Sequence, residues 1–230
     1  NILTGQVVGV ECLIRWNHPE RGIVMPRDFI GLAEENGMIV PIGEFVVAEA
    51  CRQAIRWKQE GLPPFPVSVN LSLRQFLQPN LAGRISQILQ ETGMDPGRLE
   101  LEITESATSD VQYAERVLQG LKQLGVQICI DDFGTGYSSL NYLRRFPISR
   151  LKIDRSFVRD VMTDQQDAQI VQTIIAMARH MNLKVIAEGV ENEEQQRFLE
   201  RHQCLEAQGY LYAKPMPAAA FAEWLASRKT

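Results

Sequence analysis

No pair of cysteines in this chain is spaced for a zinc ribbon or a disulfide framework. Cys12, Cys51, Cys129 and Cys204 stand singly in apolar or mixed runs, which points to reduced thiols and excludes a disulfide-stapled scaffold. Histidine is as sparse. Only His18, His180 and His202 occur, in positions read as loop or helix, so an imidazole-built metal centre has too few ligands. No apolar run approaches the length of a membrane span and no secretory-type segment opens the chain. We therefore expect a soluble, cytoplasmic domain with no membrane contact of its own. A basic excess is missing too. Lys and Arg number 24 against 28 Asp and Glu, a net charge of −4, which argues against a nucleic-acid polymer as partner because phosphate backbones need a basic stripe.

What the chain does have is a repeated unit of short strand, loop and amphipathic helix, the pattern of a parallel sheet covered by helices. Strands are expected at Val7 to Arg15, Val67 to Leu71, Leu99 to Thr104, Val126 to Asp131, Leu151 to Ile153, Lys184 to Ala187 and near Ala207 to Leu211. Helices are expected after Pro26, from Gly43 to Glu60, Asn80 to Thr92, after the cap Asp110, Ser138 to Arg145, Asp167 to Met181, Asn192 to His202, and after Pro217. At 230 residues, 45% of them hydrophobic, the chain suits one TIM-like (β/α)8 barrel. Such a barrel has eight strands and seven are found. Either one strand is missed or one preceded Asn1, and the second is favoured: the expected fold lacks its first strand, with Asn1 to Gln6 read as the second half of a hairpin. The expectation is a single domain over residues 1–230, a fragment of a longer multidomain protein.

Period-two alternation sorts strand residues into faces. Leu99, Leu101 and Ile103 oppose Glu100, Glu102 and Thr104; Val67, Val69 and Leu71 oppose Ser68, Asn70 and Ser72; Val126, Ile128 and Ile130 oppose Gln127, Cys129 and Asp131. Lys152 and Asp154 face away from Leu151 and Ile153, Glu188 ends its strand, and Glu11 shares a face with Arg15. Apolar faces belong against the helices, so the polar ones point into the barrel. Most lie late in their strands, where barrel enzymes build active sites. This gathers Glu11, Asn70, Glu102, Asp131, Asp132, Lys152 and Glu188. One lysine cannot neutralise that many carboxylates, and unpaired buried charge is costly. Oxygen donors without His or Cys indicate magnesium or manganese. At the centre is Ile128 to Leu140, where Asp131 and Asp132 end a strand and Gly134 and Gly136 follow in a loop that lets backbone approach a ligand.

These residues fall in segments that together resemble the EAL domain: ECLIRW from Glu11, SVNLS from Ser68, EITE from Glu102, DDFGTG from Asp131, KID from Lys152, EGVE from Glu188 and QGY from Gln208. The segments lie in register across nearly the whole chain. The resemblance implies a cyclic-di-GMP phosphodiesterase producing linear 5′-pGpG, with an inactive cyclic-di-GMP receptor as the alternative. It also implies that Glu11, Asn70, Glu102 and Asp131 would hold one metal and that Asp131, Asp132 and Glu188 would hold or approach a second, the ions being Mg2+ or Mn2+. Lys152 would orient the attacking water, and Glu188 is either general base or ligand. Arg15 would bind a substrate phosphate, Gln208 and Glu191 would support water or substrate, Asp154 would bind substrate, and Glu105 would anchor the loop Gly134 to Ser139. Family members often dimerise through the helix after that loop and its neighbour. Here that places Tyr137, Leu140, Tyr142 and Leu143, which core packing explains equally well. A sensor or GGDEF-type domain would be attached. Two departures are local: Cys12 replaces alanine on the face away from Glu11, and the spacing from Glu102 to Asp131 is one residue short, near Ser109 to Tyr113.

Overall fold

The computed structural model describes residues 1–136 and 143–228. Their strands are β1 (Val10–Cys12), β2 (Trp16–His18), β3 (Gly22–Val24), β4 (Val67–Leu71), β5 (Leu99–Thr104), β6 (Gln127–Phe133), β7 (Arg150–Ile153), β8 (Lys184–Ala187) and β9 (Glu206–Ala207). Their helices are α1 (Ile30–Glu35), α2 (Ile39–Gln59), α3 (Leu73–Phe76), α4 (Leu81–Thr92), α5 (Val111–Gln123), α6 (Arg155–Arg159), α7 (Gln165–His180), α8 (Glu193–Arg201) and α9 (Ala218–Ser227). Seven strands form one sheet in the order β1-β4-β5-β6-β7-β8-β9, and every pairing is parallel. β1 and β9 do not pair with each other among the described residues. The sheet is nonetheless curled, because Gln208, just past β9, donates to Glu11 on β1 at 2.8 Å. This is the expected TIM-like barrel wall with helices outside.

The outward faces of the central strands carry the core. Leu99, Leu101, Ile103, Ile128, Ile130, Leu151 and Ile153 are at most 1% exposed. At about 1.5–3 kcal/mol for each such side chain, their burial locks the register, since a slip by one residue would turn the apolar set inward. Cys12 packs against this core, as alternation requires, rather than toward Glu11.

Several boundaries differ from expectation. The first strand is only three residues long. After it the chain forms the hairpin β2–β3, where a loop was expected; Gly22, at φ 68°, supplies the left-handed turn conformation. Residues 1–6 form turns instead of half a hairpin, because the Asn1 side chain accepts from the amides of Leu3 and Thr4, both at 3.0 Å. The segment after Pro26 begins as a 3-10 turn, and α2 starts at Ile39, with Pro41 in the first turn where a missing N–H is harmless. β9 ends at Ala207, so Gln208 sits on a turn. The expected helix from Ser138 falls largely outside the described residues. Asp110 caps α5 as expected, accepting from the Tyr113 amide at 3.1 Å.

Inside the barrel the polar residues stack in two layers. In the lower one Arg150 Nη1 meets Glu100 at 2.8 Å, and Ser68 donates to the same carboxylate oxygen at 2.8 Å. Arg150 Nη2 approaches Glu206 at 3.0 Å, off the hydrogen-bonding direction. This cluster joins β4, β5, β7 and β9. Breaking a buried pair by removing one partner costs about 3–5 kcal/mol. Arg150→Met should therefore lower the melting temperature by roughly 10 °C, and adding Glu100→Gln should recover part of that in a thermal melt. An unchanged melting temperature in the single variant would show that the cluster contributes nothing to stability.

Candidate active site

The upper layer is built by the bulge in β6. Ile130 pairs with Leu151 and Phe133 with Ile153, so two residues, Asp131 and Asp132, stand opposite one, Lys152. A regular strand would aim only one aspartate inward. The bulge, with Asp132 at φ 52°, re-aims the second. Asp132 N–H then donates to Asp131 Oδ1 at 2.9 Å. Register brings the neighbours to the same level: Asn70 pairs with Glu102, and Thr104 with Asp131.

Lys152 is the hub and is only 2% exposed. Its Nζ lies 2.6 Å from Glu102, 2.6 Å from Glu188, 3.4 Å from Asp131 and 3.6 Å from Glu11. Asn70 Nδ2 donates to Glu11 Oε1 at 2.6 Å and Gln208 Nε2 to its Oε2 at 2.8 Å, so Glu11 is held from both sides. Burial works against the Lys152 ammonium, but the carboxylates around it outweigh that and hold its pKa well above the usual value. The acids feel the opposite strain. Burial, reinforced by Glu11 and Asp131, pushes Glu102 up to about 8 despite Lys152. Burial, with Asp131 beside it, raises Glu188 to about 7. Burial and then the charges of Asp131 and Asp154 raise Asp132 to about 6.

Around this centre, Asp154 caps α6 by accepting from the Ser156 amide at 2.9 Å and also from the Ser156 hydroxyl. Burial disfavours the Asp154 charge, yet these bonds and one from Asp132 hold its pKa below the usual value. Glu105 is buried, and its Oε2 accepts from the amides of Gly134 at 3.0 Å and Gly136 at 3.3 Å, so it grips the start of the glycine loop. A side chain at Gly136 would begin 2.9 Å from that carboxylate. Residues 137–142, including Tyr137, Leu140 and Tyr142, lie outside the described residues, whereas Leu143 is buried in the core.

For two expected residues the described bonds are local. Arg15 was expected to share a strand face with Glu11, but β1 ends at Cys12; Arg15 is half-buried and donates to the Ile14 carbonyl at 2.8 Å. Glu191 is exposed, with its amide bonded to Gln195 at 2.7 Å. The histidines take turn and helix roles: His18 accepts from the Glu20 amide at 3.1 Å, His180 bonds the Ala176 carbonyl at 2.7 Å, and His202 packs on Phe198. Sequence reasoning missed Arg150 and Gln195. The first was signalled by its position two residues before Lys152 on one strand face, the second by the Asn192-x-x-Gln195 capping pattern.

The donor set fits a hard divalent cation. Asp131, Asp132 and Glu188 each offer an oxygen, and the three atoms lie within 4.8 Å of one another, with no nitrogen or sulfur ligand among them. Burial first, and then the neighbouring acids, raise Glu102 and Glu188 despite Lys152. No described helix is long and apolar enough to cross a membrane.

Known proteins resemble this chain over most of its length. The family model described as the EAL domain matches residues 1–215. The bifunctional diguanylate cyclase/cyclic di-GMP phosphodiesterase MucR of Pseudomonas aeruginosa is 48% identical over 215 residues, 93% of this chain and 31% of that protein. The cyclic di-GMP phosphodiesterase PdeR of Escherichia coli is 44% identical over 221 residues, 96% of this chain and 33% of that protein. This chain thus spans about a third of the length of the curated relatives it matches. A solved structure described as the PaMucR phosphodiesterase in complex with c-di-GMP superimposes with a TM-score of 0.91 at 46% identity, covering 94% of this chain and 88% of that one. Because the family match runs through every strand that carries a carboxylate into the barrel, the chain belongs to the EAL domain family.

Proposed function

We infer that the chain hydrolyses cyclic-di-GMP to linear 5′-pGpG with two divalent cations, Mg2+ or Mn2+. The observation that carries this reading is the convergence of four carboxylates from four strands on one buried lysine at the barrel mouth. The names of MucR and PdeR, and the c-di-GMP in the solved complex, point to the substrate. When bound, the ions supply positive charge for the phosphodiester and make water a better nucleophile.

The chain's own residues provide the rest. Glu11, Asn70, Glu102 and Asp131 are the proposed donors to one ion, the Asn70 oxygen being the amide atom not turned to Glu11. Asp131, Asp132 and Glu188 are those to the other, with Asp131 between them. Lys152, held between Glu102 and Glu188, would orient the attacking water. Glu188, near pKa 7, suits either ligation or proton acceptance. Arg15 takes a substrate phosphate, Gln208 and Glu191 flank water or substrate, Asp154 lies on the substrate side, and Glu105 keeps the glycine loop in place. The chain is proposed as one domain of a longer signalling protein, as the lengths of its relatives suggest, and a sensor or GGDEF-type domain and a homodimer are proposed with it. Its free cysteines suit the cytoplasm.

The direct test is incubation with cyclic-di-GMP and Mg2+ or Mn2+, followed by chromatography for pGpG. Product that forms with metal and stops on chelation is expected; tight binding without product would overturn hydrolysis in favour of a receptor. A second expectation concerns pH. Protons compete with the cation at Asp132, near 6, and Glu188, near 7. Raising the pH from 6 to 8 removes them, so Mn2+ affinity should increase by about tenfold or more in a calorimetric titration. A flat profile would count against these ligands.

A further inference from the structure

Gln195 is 4% exposed, and both ends of its amide are used. Oε1 accepts from the backbone amides of Glu191 at 2.7 Å and Asn192 at 3.2 Å, while Nε2 donates to the Arg159 carbonyl at 3.1 Å. The capping box at the start of α8 accounts only for the exchange with Asn192. The other two bonds reach further. Glu191 ends the segment that begins at Glu188, and Arg159 is the last residue of α6, whose cap Asp154 interacts electrostatically with Asp132. Gln195 thus links the segment bearing Glu188 to the element that contacts Asp132.

The far side of the same segment is also clamped. Val190 N–H donates to the Gln208 carbonyl at 3.1 Å, and Leu211 N–H to the Val190 carbonyl at 3.0 Å. Gly209 lies so close that a Cβ there would stand 2.1 Å from the Val190 carbonyl oxygen. With that side fixed by backbone, the only side chain bonded to the segment's amides from the α6 side is Gln195, among the described residues. A hydrocarbon in its place would leave two amides and one carbonyl without these partners, and the segment would have to move to satisfy them.

We propose that Gln195 is a positioning residue: by tying the Glu188–Glu191 segment to α6 it sets Glu188 at the separation from Asp131 and Asp132 at which the three share one cation. This rests on reading that acidic cluster as a cation site. The test is a Mn2+ titration of the metal-free chain by calorimetry at 25 °C, with thermal melts alongside. Gln195→Leu should weaken Mn2+ binding by about tenfold or more, the usual range for a group that orients ligands. Gln195→Glu keeps acceptor oxygens for both amides but loses the donor to the Arg159 carbonyl that ties the segment to α6, so it too should weaken Mn2+ binding, by about threefold or more and less than Gln195→Leu. Leu199→Ala, buried on the same helix but outside these hydrogen bonds, should lower the melting temperature and leave Mn2+ affinity unchanged. Should Gln195→Leu not fold, Gln195→Asn, too short to span both sides, carries the same expectation. Wild-type affinity in a folded Gln195→Leu or Gln195→Asn protein would overturn the proposal, as would an equal loss in Leu199→Ala, because affinity would then merely follow stability. Failure of the wild type itself to bind Mn2+ would strike the reading of the acidic cluster, and this proposal would fall with it.

Discussion

Lys152→Met is expected to lower the melting temperature of the metal-free protein by roughly 10 °C and to reduce pGpG production by about a hundredfold or more. The physical cause is the same for both effects. Lys152 Nζ is the buried cation that four carboxylates share, at 2.6 to 3.6 Å. Without it, Glu102 and Glu188 must take up protons or repel each other. The sign with pH follows. Carboxylates with folded values raised to about 8 and 7 stabilise the fold below their unfolded value, near 4.3, and that contribution is lost as pH rises through the folded values. Removing the lysine raises them further, so the deficit should be larger at pH 8 than at pH 5. Mg2+ or Mn2+ should restore most of the melting temperature, because a cation again offsets the acids, but not turnover, because the water loses its orienting ammonium. Thermal melts with and without metal at both pH values check the first part and product release the second. An unchanged metal-free melting temperature would show that Lys152 is not the charge that holds the layer together.

Asp131→Asn should separate the site's chemistry from its folding. Asp131 belongs, with Glu188, to both the acidic triad and the lysine cluster, and it also accepts the Asp132 amide at 2.9 Å. Asparagine keeps the size and one acceptor oxygen for that amide while removing the charge. With one carboxylate fewer around Lys152, the metal-free melting temperature should hold steady or rise. Cation binding should collapse. Transition-state stabilisation of several kcal/mol supplied by a metal corresponds to roughly a thousandfold in rate, and hydrolysis should fall by about that factor. Mn2+ calorimetry and pGpG release measure the two effects. Activity within tenfold of the wild type would mean that the chemistry does not pass through Asp131.

Alternation along short strands was enough to place Glu102, Asp131 and Lys152 inside a barrel, because burial of Leu101, Ile130 and Leu151 on the other face leaves them no alternative direction. Asn70 could be placed by the same rule. It could not place Asp132. A regular strand sends adjacent residues to opposite faces, and only the two-against-one pairing of Asp131 and Asp132 with Lys152 brings both to the mouth. The strand placement of Arg15 failed for a related reason: it assumed a strand through residue 15, whereas β1 stops at Cys12 and the chain turns into a hairpin.

By itself the sequence determined the parallel barrel, the inward acidic set and the family pattern, since period-two burial and strand-end motifs are local properties of the chain. Only the tertiary structure decided which charges meet. Glu100 and Glu102 alternate identically on β5, as do Arg150 and Lys152 on β7. Yet Arg150 with Glu100 forms the lower structural layer, and Lys152 with Glu102 forms the upper one at the mouth. Strand register and the β6 bulge set that division, and both arise from contacts between segments far apart in the chain, where no local pattern reaches.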